Sequence, residues 1–315
     1  MNRREILAGA VGAAAIAGAI GAQAQTGRRG GPQVRMLPAP SLPPGARLSL
    51  SMIISEYDRT RVSAKNRLSF PEFLELAKGA GYNAIHIRAS MAGIHTPLDQ
   101  LHTMAGHLKA SGLGVSSVCP DFPVPLNTDN APDCLRNITP YLTFAEIFGS
   151  DMIRIGMKTE ADIPFAQRAA DEAAERRIRL VHHAELNTMF NTYDSSLRTL
   201  KAVNRPNFGL QHDEAQWMCV MTDYRPELML ERLKSTQPWA WEVFIKNNPG
   251  GPGPQARPTI PLEAPNGVQF DRYFDALNTL GYKGYIQTHQ LPQGTADIRA
   301  GCINYARFIR ARTRA

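Results

Sequence analysis

Three short segments concentrate side chains that can move protons or hold a cation: His182-His183-Ala184-Glu185, His212-Asp213-Glu214-Ala215-Gln216 and Thr288-His289-Gln290. Imidazole and carboxylate groups bind divalent metals when they are deprotonated and converge on one point. One group from each segment, His182, Asp213 and His289, would make a mononuclear site. Gln216 and Glu185 would serve as extra ligands or as hydrogen-bond partners of the ligands. The same residues could equally form a hydrogen-bonded polar pocket with no metal. General acid and base work needs groups of suitable pKa beside the reacting atom, and Glu185, His183 and Glu214 are the candidates. Cationic or neutral nitrogen donors stand in comparable places: His86, Arg88, Arg154, Lys158 and Lys246. They would orient hydroxyl or carboxylate groups of a ligand, or else form ion pairs at a rim. His95, His102 and His107 fall in a loop and helix, where surface or packing roles are expected.

These residues are far apart in the chain, so the elements between them must bring them together. Short β-rich runs are expected near 48–54, 84–88, 114–119, 152–156, 179–183, 208–213, 241–245 and 284–288. Amphipathic stretches lie between them, the first over 70–79 with Ser69 as cap and Pro71 in its first turn. Four helices end alike, in GAGYNAI, ASGLGVSS, IFGSDMI and TLGYKGYI. Each has a glycine suited to a left-handed cap, then a buried strand. This repetition predicts parallel βαβ units, and eight of them predict a single-domain (β/α)8 TIM barrel over 47–315. A doubly wound open sheet is less favoured, because no glycine-rich dinucleotide loop follows the first strand. In such a barrel the chemistry gathers at the C-terminal ends of the strands. Five of the eight histidines fall there.

The chain of 315 residues is 43% apolar and 20% charged, which fits a globular domain rather than a disordered chain. Its net charge of +7 is spread over both ends without a cluster of stacking aromatics, so a nucleic-acid partner is not expected. Cys119, Cys134, Cys219 and Cys302 match no metal or redox spacing and are expected as buried small side chains. Residues 1–24 carry Arg3-Arg4, an uncharged Ala/Gly-rich run over 6–22 and the small residues Ala22 and Ala24. This resembles a twin-arginine export signal, which implies passage to the periplasm already folded, with no stable membrane insertion after cleavage. An uncleaved anchor is the alternative, although the run barely reaches spanning length. Residues 25–46 are a Pro/Gly-rich linker. Oligomeric state is open, a homo-oligomer included.

GAGYNAIHIR, NRPNFGLQHDEAQW, WEVFIKNN and LGYKGYIQTHQ together resemble the second, sixth, seventh and eighth strand units of the xylose isomerase-like superfamily, also called sugar phosphate isomerase/epimerases. The resemblance runs from about residue 48 to the C-terminus. It implies a metal held by glutamate, aspartate, histidine and glutamate from the fifth to eighth strands. Only Asp213 carries over directly. The fifth strand offers His182 or His183 in place of glutamate, with Glu185 near. Phe244 stands where a histidine ligand is common, His289 where glutamate is usual, and Gln216 where many members have histidine after the aspartate.

The resemblance therefore implies an exported, metal-dependent sugar isomerase or epimerase, acting on a free sugar or sugar derivative by proton transfer next to a carbonyl. Histidine ligands would favour Mn, Zn, Fe or Ni over Mg. His86, Arg88, Arg154, Lys158 and Lys246 would contact the sugar, and Trp217 would stack on it or pack in the core. The loop after the seventh strand would cover the pocket and offer Arg257 or Glu263. Loss of the usual glutamates motivates a second expectation, a non-catalytic carbohydrate-binding barrel. An endonuclease-four-type nuclease is disfavoured, since it needs a trinuclear zinc site with more ligands than these strand ends supply.

Overall fold

The computed structural model describes residues 47–59, 64–221, 224–250 and 258–313. The expected export signal (1–24), the expected linker (25–46) and Arg257 lie outside the described residues. Eight parallel strands close into a barrel: β1 (Leu48–Ser51), β2 (Ala84–Arg88), β3 (Gly114–Cys119), β4 (Met152–Ile155), β5 (Arg179–His183), β6 (Phe208–His212), β7 (Ala240–Ile245) and β8 (Tyr285–Thr288). Closure is made by β1 against β8, Leu50 opposite Thr288, and β1 against β2, Ser51 opposite His86. The expected (β/α)8 architecture is present.

The local rules act where the sequence placed them. Ser69 and Glu72 form a capping box at the start of helix Phe70–Gly79, with the Ser69 N–H donating to Glu72 Oε2 at 2.7 Å. Gly81 (φ 87°) and Gly112 (φ 74°) turn their helices back toward β2 and β3, and Gly149 and Gly281 also have positive φ. A side chain with Cβ would be strained there. Two features were not expected. The first run ends as a strand at Ser51, and a hairpin of Glu56–Arg59 and Ala64–Asn66 follows. The sixth strand ends at His212, so Asp213 becomes the N-cap of helix Glu214–Val220.

Strand residues alternate between the helix layer and the barrel interior. Leu48, Leu50, Ile85, Ile87, Ile153, Ile155, Leu180, Leu210, Val243, Ile245 and Ile286 join the apolar core under the helices. The other face carries Ser49, His86, Ser117, Arg154, His183, Gln211, Glu242 and Gln287, all buried. Barrel interiors are usually filled by branched apolar residues; this one is polar. At its N-terminal end the Arg179 guanidinium lies 5.3 Å from the Trp241 ring centroid. Gly209 beneath it has no room for a methyl group, since a Cβ would fall 2.6 Å from the indole.

All four cysteines are buried, and His95, His102 and His107 are exposed. Among the described residues no helix is long and apolar enough to cross a membrane.

Candidate active site

The polar interior is organised around Glu242. Its Oε2 accepts from Ser117 Oγ (2.7 Å) and Gln211 Nε2 (2.6 Å), and its Oε1 from Gln287 Nε2 (2.7 Å). Burial pushes the Glu242 pKa up, and these donors only partly oppose that. Donation of its Nε2 to Glu242 Oε1 sets the Gln287 amide with its nitrogen toward Glu242. The Gln287 oxygen then faces His289 Nδ1 at 3.2 Å, so that nitrogen carries the proton and His289 Nε2 keeps its lone pair. Gln287 Nε2 and Ser117 Oγ both meet His86 Nδ1 at 3.0 Å, and His86 Nε2 is a buried atom without a hydrogen-bond partner. Burial, then nearby positive charge, holds both histidines well below the usual pKa and so neutral.

Above this layer, at the C-terminal mouth, charges alternate. Asp213 is fully buried and accepts from the Gln216 backbone N–H (2.9 Å); its Oδ2 lies 3.2 Å from Lys246 Nζ and 2.9 Å from His183 Nε2. His183 Nδ1 is 3.1 Å from Glu185 Oε2, which also lies 3.2 Å from an Arg154 guanidinium nitrogen. Both ring nitrogens of His183 thus face carboxylate oxygens. Burial raises the Asp213 and Glu185 pKa values, but the cations and His183 outweigh it: Asp213 is held below its ordinary value and Glu185 at about 2. Glu185 keeps 23% of its side chain exposed at the mouth. Arg154 Nε is buried without a partner, a donor free for a ligand. Phe244 forms the floor, stacked on His289 (4.3 Å between centroids) and 4.6 Å from the His183 ring.

Arg88 pairs with Glu56 at 2.7 Å, and Ser90 Oγ donates to the same carboxylate. Glu56 borders a cavity of about 310 Å3, together with Ile53, Ile54, Thr259, Gln290 and Gln293. These residues come from the loops after β1, β7 and β8, so the cavity opens on the same face as His289.

Several expected residues are placed elsewhere. His182 faces the helix layer, because it alternates with His183: its ring stacks on Phe190 at 4.2 Å and its Nδ1 meets the His183 carbonyl. Burial lowers its pKa to about 3. His183, not His182, is the fifth-strand imidazole beside Asp213. Glu214 follows Asp213 but turns behind the barrel wall, 3.5 Å from His212 Nε2. Trp217 is 1% exposed and packs edge-on against His212 and Tyr193, its indole N–H donating to the Phe190 carbonyl; it offers no face to a ligand. Lys158 is tied to the Asn127 carbonyl at 2.8 Å, and His86 lies one layer below the mouth. Glu263 lines grooves along the final helix with Phe308 and Arg312. Gln216 joins the mouth through Lys246, whose ammonium donates to its Oε1 at 2.9 Å. The sequence reading missed Glu56, Gln211, Glu242 and Gln287. The available signal was a charged residue inside the apolar run AWEVFI.

Glu214 carries a consequence for stability. Burial raises its pKa to about 7, only partly offset by Tyr224 and Arg232. An acid with a raised folded-state pKa contributes stability below its unfolded value and loses it as pH rises through the folded value. The stability difference between wild type and Glu214→Gln should therefore fall from pH 4.5 to about 7, by on the order of 3 kcal/mol. Urea unfolding across that range reads it directly.

The residues present do not fit a divalent cation. Among the described residues no group of three or more His, Cys, Asp or Glu converges as a ligand set. The Oδ2 atom of Asp213 that a metal would use already faces the Lys246 ammonium and His183, and Phe244 presents a hydrocarbon ring beside them.

No family model matches the chain, and no curated protein matches it. Solved structures do. A xylose isomerase domain protein from Planctomyces limnophilus is 14% identical with a TM-score of 0.66, over 85% of this chain and 97% of that one. A xylose isomerase-like TIM barrel protein from Mycobacterium smegmatis, in complex with magnesium, is 16% identical with a TM-score of 0.64, over 85% and 96%. D-allulose 3-epimerase from Methylomonas sp., in complex with D-allulose, is 16% identical with a TM-score of 0.60, over 86% and 98%.

Proposed function

We propose that this xylose isomerase-like barrel is a sugar-transforming enzyme of the isomerase/epimerase class, acting on a free sugar or sugar derivative by proton transfer next to a carbonyl. The observation that carries this reading is the convergence at one mouth of Glu185, His183, His289, Arg154 and Lys246, drawn from four strands and the residues just beyond them. His289, neutral with its Nε2 lone pair free, takes the proton from the carbon beside the carbonyl. The bond electrons move to the carbonyl oxygen, giving an enediolate. Its negative charge is met by Arg154 and Lys246, and it offsets the positive surroundings that depress the basicity of His289. Return of the proton to the neighbouring carbon, with transfer of the hydroxyl proton between the two oxygens, isomerises the sugar. Protonation of the same carbon from the other face by a water molecule epimerises it. Glu185, ionised and partly exposed, binds hydroxyl groups, and His183 holds it in place. The epimerase and isomerase-domain neighbours support a small polyhydroxylated ligand.

The test is incubation in D2O with a panel of free sugars that includes D-allulose and D-xylose, read by NMR. Deuterium should appear at the carbon adjacent to the carbonyl faster than without protein. One observation favours a second reading, a carbohydrate-binding barrel without catalysis: Glu56, Glu185 and Asp213 each lie against a cation. Calorimetric binding of a sugar with no exchange at any position would select it.

In the same proposal the chain is exported folded to the periplasm. Arg3-Arg4, the uncharged run and Ala22-Gln23-Ala24 support this. Fractionation of cells carrying Arg3→Lys together with Arg4→Lys should find the protein retained inside.

A further inference from the structure

We infer that Lys246 is a built-in replacement for the divalent cation, so that this barrel works without a metal. Three observations meet at one point. Asp213, the one residue that the sequence resemblance carries over directly as a metal ligand, is fully buried, and its Oδ2 lies 3.2 Å from Lys246 Nζ and 2.9 Å from His183 Nε2. Lys246 is itself buried, 6% exposed, and its ammonium is fixed from a second side by Gln216 Oε1 at 2.9 Å. Phe244, two residues earlier on the same strand, fills the adjoining space with a ring stacked on His289. A dication entering here would have to displace an ammonium and would find hydrocarbon where it needs a donor. An ammonium offers a single charge and hydrogen bonds of fixed direction, which suits a developing oxyanion. His289 then has no metal to ligate, and its Nε2 is left for the proton.

The catalytic half of this inference rests on the proton-transfer reading; the metal half does not. Metal analysis of the purified chain should find only trace Mn, Zn, Fe, Ni or Mg. Its melting temperature should be unmoved by EDTA, Mn2+ or Zn2+. Lys246→Met should acquire Zn2+ binding at least about tenfold tighter than wild type, a conservative expectation for removing one unit charge ~4 Å from an incoming dication. Lys246→Arg, which keeps the cation, should remain indifferent to metal. Stoichiometric metal in the wild type, removed by EDTA with a fall in melting temperature, would overturn the inference. So would equal metal affinity in wild type and Lys246→Met. If Lys246→Met does not fold, the wild-type and Lys246→Arg measurements decide. Metal indifference together with no deuterium exchange on any sugar would leave Lys246 as the cation of the site and remove only the isomerase reading.

Discussion

Asp213→Asn should destabilise the barrel by roughly 3–5 kcal/mol, the usual effect of removing one partner from a buried ion pair. The substitution keeps an oxygen for the Gln216 N–H, so the helix cap survives. What disappears is the negative charge facing Lys246 and His183. Among the described residues, Gln216 Oε1 is the close acceptor that Lys246 would keep in its buried position. Lys246→Met in the same background should restore part of the loss, since it removes the stranded charge. The double variant should therefore be more stable than the sum of the two single effects predicts. Urea unfolding of the four proteins measures the coupling. A change under ~1 kcal/mol, the scale of an exposed pair, would show that the pair is hydrated. The pH dependence has a definite sign. Asp213 and Glu185 have lowered pKa values, so their contribution is present above the unfolded carboxylate range and is lost as pH falls through the folded values.

Glu242→Met is expected to have a comparable cost, roughly 3–5 kcal/mol, because three buried donors lose their acceptor at ~1–3 kcal/mol each and the methionine regains part of it by packing. Ser117 Oγ, Gln211 Nε2 and Gln287 Nε2 all point at this carboxylate. The effect on chemistry should be larger. Without Glu242 the Gln287 amide is free to turn over, and with it the proton assignment of His289. Deuterium exchange on a sugar that the wild type turns over should fall by ~10²-fold or more, the scale of losing a positioned base. Glu242→Gln retains the shape and one acceptor, so it should fold better than Glu242→Met and still lose exchange. Full exchange in Glu242→Gln would mean that His289 is oriented by something else.

The barrel was legible because its signals are local and repeated. Gly81, Gly112, Gly149 and Gly281 each follow a helix and precede a strand, and all four have positive φ. The mouth was legible in part. Asp213, His183, Glu185, Arg154, Lys246 and His289 meet as expected of residues at strand ends. The error over His182 and His183 is a matter of register: in a strand, one position decides between the interior and the helix layer. Glu214 was misplaced, and Trp217 took its core-packing alternative, for a related reason. Once the strand ends at His212, the next residues begin a helix, and its first turn carries them behind the wall. Glu242 was hidden because an isolated acid in an apolar run has no partner visible in sequence. Its partners, Ser117, Gln211 and Gln287, come from three other strands.

Trp241 gives the barrel a further property. Its indole and the Trp239 carbonyl occupy the space that a Cβ on Gly209 would need, and the Arg179 guanidinium lies over the ring. The sixth strand can therefore carry no side chain at this position without displacing the seventh.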